Sequence, residues 1–230
     1  QGINTTFIQE MVNDNRFEKI EILPIIDKIS ESGGKSFKKE TLNKAKDSYQ
    51  KIKHGSWSPK AKLRDKDILI LGSGPTLDKH LKGIENFISK NKPIVLALNY
   101  KFIKSNFDKN LIDYIVTSHP YRILNDFENL KNLNNEVILP LSQLPKNQKF
   151  NINHKNLLDF GICIEEGKFL YNDNYCIIPI VDVLAYALGI SNSGKANSIV
   201  LAGFDGYDTN DPRHNEMKNF FELYEKNKNS

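Results

Sequence analysis

The sequence predicts an α/β protein: a Rossmann-like, mostly parallel sheet with helices on both faces, preceded by a small helical amino-terminal region. Three observations predict it. Short, continuous apolar runs recur between residues 68 and 202, each closed by glycine or small polar residues, as strands buried on both faces require. Segments of helical periodicity alternate with those runs through short connections. The first apolar run empties into a glycine turn that opens a helix.

In chain order, Thr5 or Thr6 caps a short amphipathic run over residues 7–12. Residues 20–29 follow as a helix, with Ile22, Leu23, Ile25, Ile26 and Ile29 keeping one face apolar. Ser32-Gly33-Gly34 ends it, and a third, strongly charged helix covers 36–53. Gly55-Ser56-Trp57-Ser58-Pro59 is a break, and 60–66 read as a basic linker. These residues suggest a helical connector over 1–60 and a Rossmann-like, nucleotide-binding domain over 61–230. Within that domain, strands are expected at 68–71, 94–98, 114–117, 137–139 and 198–202, and helices at 77–90, 121–133 and 215–226. Residues 140–160, rich in Asn, Gln and Lys, read as loops or a flap. Residues 180–188 read as a buried helix stopped by Gly189.

Bulk properties exclude several classes. The 32 basic and 28 acidic residues leave a net charge of only +4 and are intermixed, which argues against a nucleic-acid partner. Cys163 and Cys176 sit in apolar surroundings and read as unpaired buried thiols in a reducing, cytoplasmic compartment. No membrane span is expected, because the longest apolar run, 177–188, is interrupted by Pro179 and Asp182. No secretory signal opens the chain; it begins Gln1-Gly2 rather than with Met, as a piece of a longer protein would. His54, His80 and His154 are widely separated, and without a His-x-His pair or Cys/His cluster no metal site is expected.

Open parallel sheets bind ligands at the carboxyl ends of their strands. This chain places Gly72-Ser73-Gly74-Pro75-Thr76, Asn99, Ser118-His119, and Gly203 with Asp205 and Tyr207 there. Gly72 and Gly74 permit close backbone approach, Pro75 presets the first helical turn, and Thr76 lies where helix amides favour an anion. Position 77 is Leu, so the dinucleotide fingerprint is incomplete, and no Gly-Lys-Ser/Thr makes a P-loop. A tight strand-to-helix turn without a ligand is the plainer alternative. His119 reads as a phosphate ligand, an acid/base, or a loop histidine satisfied by a backbone carbonyl. Arg122 offers a bidentate fork to phosphate or simply an exposed helix face. His214 reads as a general base or as a helix cap. The aromatics Tyr100, Phe102 and Phe107 read as core rather than as a base-stacking platform.

Leu71-Gly72-Ser73-Gly74-Pro75-Thr76-Leu77, Ala97-Leu98-Asn99 and Leu201-Ala202-Gly203-Phe204-Asp205-Gly206-Tyr207 resemble motifs of bacterial glycan enzymes. These are the small sialyltransferases of lipooligosaccharide synthesis and the related hydroxymethylpterin-diphosphokinase-like domains. The resemblance covers about residues 67–208 and implies that Gly74, Thr76 and Asn99 contact the nucleotide of a CMP-sugar. It also implies that Asp205 lies at the sugar or ribose side. Arg213-His214 occupies the neighbourhood of that family's lid histidine, although the segment is far shorter here. Pyrophosphoryl transfer to a pterin would call for paired carboxylates, and only Asp205 and Asp208, with Asp211 beyond, stand close together.

A second resemblance concerns the opening residues. Gly2 to Met11, with Gly33-Gly34-Lys35-Ser36-Phe37, is similar to the segment after the barrel in HMG-CoA-lyase-like aldolases, including 4-hydroxy-2-oxovalerate aldolase. It implies an aldolase barrel as a partner in the parent chain, and a barrel needs on the order of 250 residues. Two functions follow as expectations. The first is a glycosyltransferase-like domain binding a nucleotide or nucleotide-sugar, with Asp205 and His214 or His119 in the chemistry and Gly72, Ser73, Gly74, Pro75, Thr76, Asn99, Ser118 and Gly203 holding the ligand. The second is a noncatalytic or regulatory ligand-binding module of an aldolase. No cofactor beyond the nucleotide is implied.

Overall fold

The computed structural model describes residues 48–99, 107–144 and 155–227. The expected helices over 7–12, 20–29 and most of 36–53, the aromatics Tyr100 and Phe102, and the centre of the expected flap lie outside the described residues.

A single helical turn, α1 (Lys60–Leu63), precedes β1 (Asp67–Leu71), α2 (Leu77–Asn91), β2 (Ile94–Leu98), β3 (Tyr114–Val116), α3 (Pro120–Leu130) and β4 (Glu136–Leu139). Then come β5 (Leu157–Asp159), β6 (Gly161–Ile164), β7 (Leu170–Tyr171), β8 (Tyr175–Ile178), α4 (Val183–Ser193), β9 (Ser198–Ala202) and α5 (Pro212–Asn227). Six strands form one wholly parallel sheet in the order β5-β4-β3-β2-β1-β9. The chain therefore winds outward from β1 to β5 and returns to the other side of β1. The place where that direction reverses, between β1 and β9, is the topological switch point.

Side-chain alternation along the strands divides the core in two. Leu69, Leu71, Val95, Ala97, Ile115 and Val137 face α2 and α3. Ile68, Ile70, Leu96, Leu98, Val116 and Ile138 face α4. A second sheet, ordered β6-β8-β7, packs on the far side of α4. Lying between two sheets, α4 has nine of its eleven residues buried, so it is apolar all round rather than amphipathic. Asp182 caps it by accepting from the Leu184 and Ala185 amides at 2.7 and 3.1 Å. The closing helix α5 meets α4 where the Asn192 side-chain amide donates to the Tyr224 hydroxyl at 3.2 Å.

Several expectations are corrected. Gly189 does not stop the buried helix, which continues to Ser193. It is glycine because a Cβ there would lie 2.7 Å from Cys176 Sγ on the adjoining sheet. The region expected to be irregular contains β5 and a 3-10 turn at Leu141–Gln143. The basic linker is partly helical and sends Leu63 fully into the core. Tyr49 and Trp57 also belong to the core of the α/β domain: the Tyr49 hydroxyl donates to the Ser118 carbonyl, and Trp57 packs edge-on to Phe160. Cys163 and Cys176 are buried free thiols, and burial pushes both up. Among the described residues no helix is long and apolar enough to cross a membrane.

One buried amide ties the early segment to both sheets. Gln143 Oε1 accepts from the Ile162 amide at 2.8 Å, while its Nε2 donates to the carbonyls of Ile162, Lys51 and Ser48. Truncating this side chain orphans backbone groups that are shielded from water. We expect Gln143→Ala to lower unfolding free energy by about 3 kcal/mol, read from the urea midpoint at unchanged m-value.

Candidate functional site

The glycine turn leaves β1 at the switch point, directly beside the segment that leaves β9. The Gly72 amide donates to Ala202 O and the Gly74 amide to Gly203 O, both at 2.8 Å. A Cβ on Gly72 would sit 2.6 Å from Gly203 O, and one on Gly203 would sit 2.6 Å from Gly72 O. Gly203 also has φ +76, a left-handed conformation that glycine adopts at no steric cost. The glycines of two sequence motifs thus serve each other. They let the two strand ends lock backbone to backbone.

Asp205 completes the junction. Its Oδ2 accepts from the Thr76 amide at 2.8 Å, and its Oδ1 accepts from the Thr76 hydroxyl. Thr76 is the N-cap of α2, so the carboxylate occupies the position where a helix amino terminus favours negative charge. The Thr76 side-chain bond, then its amide, hold the Asp205 carboxyl below the ordinary value of 3.8, with smaller help from His80 and Lys79. No sequence motif marks His80 or Lys79. Their spacing of four and three residues from Thr76 places them on the next turn of the same helix face.

A second group gathers at the ends of β2 and β3. Asn99 follows β2 with φ +64, donates its amide to Val116 O at 2.8 Å and presents its side chain to the Thr117 hydroxyl at 3.4 Å. Asn is among the few residues that take this conformation readily, and it recurs where backbone is shaped for a ligand. Ser118 is fully buried, and its hydroxyl has no hydrogen-bond partner among the described residues. His119 is the N-cap of α3 with Pro120 at the first helical position, and its side chain makes no capping bond. Arg122, half-buried one turn on, lies near enough to Asp182 to oppose the upward push that burial exerts on that carboxyl.

His214 stands in the first turn of α5, two residues after its start, with its amide bonded to Asp211 O. Its Nδ1 meets the Tyr207 carbonyl at 3.1 Å, which fixes the ring within its own loop. The sheet topology and the loops after its strands set most of the sequence-selected residues in three groups beyond the carboxyl ends of the strands. Gly72, Ser73, Gly74, Pro75, Thr76, Gly203 and Asp205 form the junction; Asn99, Ser118 and His119 stand beyond β2 and β3; His214 and Tyr207 stand beyond β9. A cavity of about 780 Å³ lies at the opposite edge, lined by Phe107, Lys109, Asn132 and Asn135 before β3 and β4. No group of three or more His, Cys, Asp or Glu suited to a metal occurs among the described residues.

The chain matches no family model and no curated protein.

At the junction, Gly203→Ala must place a Cβ against Gly72 O in a left-handed backbone, and should cost about 2 kcal/mol or more by chemical denaturation. Asp205 has a depressed folded pKa, so its contribution is complete above 3.8 and is lost as pH falls through the lower folded value. Acid titrations of wild type and Asp205→Asn should therefore differ in slope only below about pH 4.

Proposed function

We propose that this domain binds a nucleotide or nucleotide-sugar across the carboxyl edge of its parallel sheet and is glycosyltransferase-like. One observation carries the reading. Asn99, Ser118, His119, Thr76 and Asp205 all follow the carboxyl ends of parallel strands, the edge at which open α/β sheets bind ligands. The left-handed Asn99 and the buried Ser118 hydroxyl without a partner among the described residues support it, since native chains keep such features mainly where something uses them. In a transfer, the leaving phosphate would be stabilised by donors at this edge, and His119 or His214 would take the acceptor proton.

A specific observation favours a second reading, a noncatalytic ligand-binding module such as an aldolase could carry. The amides of Gly72, Gly74 and Thr76 are all engaged within the chain, and Asp205 fills the anion position of α2. Phosphate at the glycine turn would have to displace Asp205.

A thermal-shift panel of CMP, CDP, UDP, GDP and ATP separates the readings when run on wild type and Asn99→Gly. That substitution keeps the left-handed backbone and removes only the side-chain amide. A nucleotide at a hundredfold excess over its dissociation constant should add about 2.7 kcal/mol to wild type and markedly less to the variant. Release of free nucleotide from the matching sugar donor then identifies a transferase. Binding without release identifies the module, and a flat panel on folded protein rejects the nucleotide-binding transferase reading and leaves the module.

A further inference from the structure

A segment upstream of β1 lies across the carboxyl ends of two strands. The Ser48 hydroxyl donates to the Gln143 carbonyl at 2.6 Å, and Gln143 Nε2 donates in return to the Ser48 and Lys51 carbonyls at 3.3 and 3.2 Å. Gln143 belongs to the 3-10 turn after β4, so the segment is pinned beyond the end of that strand. One residue along, the Tyr49 hydroxyl donates to the carbonyl of Ser118, beyond the end of β3. Tyr49 is 2% exposed and Ser118 is fully buried, so water does not substitute as the donor. The bond falls at a sensitive place. The Ser118 carbonyl belongs to the peptide that leads into His119, the N-cap of α3, where φ −72 and ψ 120 are extended. Helical bonding begins one carbonyl later, where His119 O accepts from the Ile123 amide at 3.0 Å. The Ser118 hydroxyl has no partner among the described residues. Tyr49 therefore holds the Ser118–His119 peptide from outside the helix.

We propose that Tyr49 is a positioning residue of the ligand edge, a role that rests on the nucleotide-binding reading above. Its hydroxyl does not touch the ligand. It fixes the turn of the Ser118–His119 peptide, and with it the arrangement in which the Ser118 hydroxyl and the His119 imidazole meet a nucleotide. Removing the hydroxyl orphans the carbonyl, and the peptide is then free to turn toward another donor. Tyr186 supplies a matched control. It is equally buried, and its hydroxyl likewise donates to a backbone carbonyl, that of Phe160 between β5 and β6. Tyr49→Phe and Tyr186→Phe thus each strip one hydroxyl from a shielded carbonyl and keep the ring that packs the core. Only the first acts on a residue at the end of β3.

In the whole 230-residue chain both variants should fold and lower the urea midpoint to a similar extent. The tightest binder among CMP, CDP, UDP, GDP and ATP should bind Tyr49→Phe about tenfold more weakly than wild type. It should bind Tyr186→Phe as well as wild type. The titration midpoint of the His119 ring protons, followed by NMR without nucleotide, should move in Tyr49→Phe and stay in place in Tyr186→Phe. Equal weakening of nucleotide binding in the two variants, or none in Tyr49→Phe, overturns the proposal. If no nucleotide binds wild type, the nucleotide reading fails by itself and the His119 titration decides the role of Tyr49. A midpoint moved in Tyr49→Phe alone upholds that role, and an unmoved one overturns it whatever the panel shows.

Discussion

The seam between β1 and β9 is the constraint on which the remaining structure depends. Two backbone segments approach so closely there that Gly72, Gly74 and Gly203 have no room for a side chain, and a carboxylate from one loop caps the helix of the other. Without that closure β1 would have one neighbour, and the switch point would not exist. The weld also fixes the start of α2, whose Leu77 and Ile88 help bury one face of the sheet. Local backbone chemistry and global topology are thus decided at one place.

That economy shapes what the site can do. The groups that look most like a phosphate cradle in sequence already serve one another, and the other polar residues of this edge, Asn99, Ser118 and His119, stand farther along, after β2 and β3. An arrangement in which Asp205 holds the helix end suits a ligand that presents hydroxyl donors to a carboxylate better than one that presents an anion. Lys79 and His80, on the next turn of α2, add smaller help to the Thr76 bonds that hold the Asp205 carboxyl below its ordinary value.

Much of the fold is legible in the sequence because the physics is local. The runs at β1, β2 and β9 are each five residues long and largely apolar, and nothing but a strand fits them between glycine and polar stops. β5 is hidden because it is three residues long and set among Asn and Lys, with its identity supplied by pairing to β4. Gly189 misleads because its missing side chain answers to Cys176 on another sheet, and not to a helix end. The polar strand ends stand out by their position after apolar runs. Their partners do not: Thr76 and Asp205 are separated by 129 residues, and no spacing rule joins them. Gln143 is invisible for the same reason, since its partners are backbone atoms 19 to 95 residues away.

Strand order also sets a timetable. β1 is among the first elements of the sheet to leave a ribosome, yet the strand on its second side comes near the end of the described chain. Until residues 198–205 emerge, Ile68, Leu69, Ile70 and Leu71 have one unprotected flank with unpaired backbone. Long-range closures of this kind are slow, because chain entropy must be spent before any contact rewards it. The nascent protein is therefore most exposed to aggregation and to chaperone capture late in synthesis, and a ribosome stalled between β8 and β9 would hold it in that state.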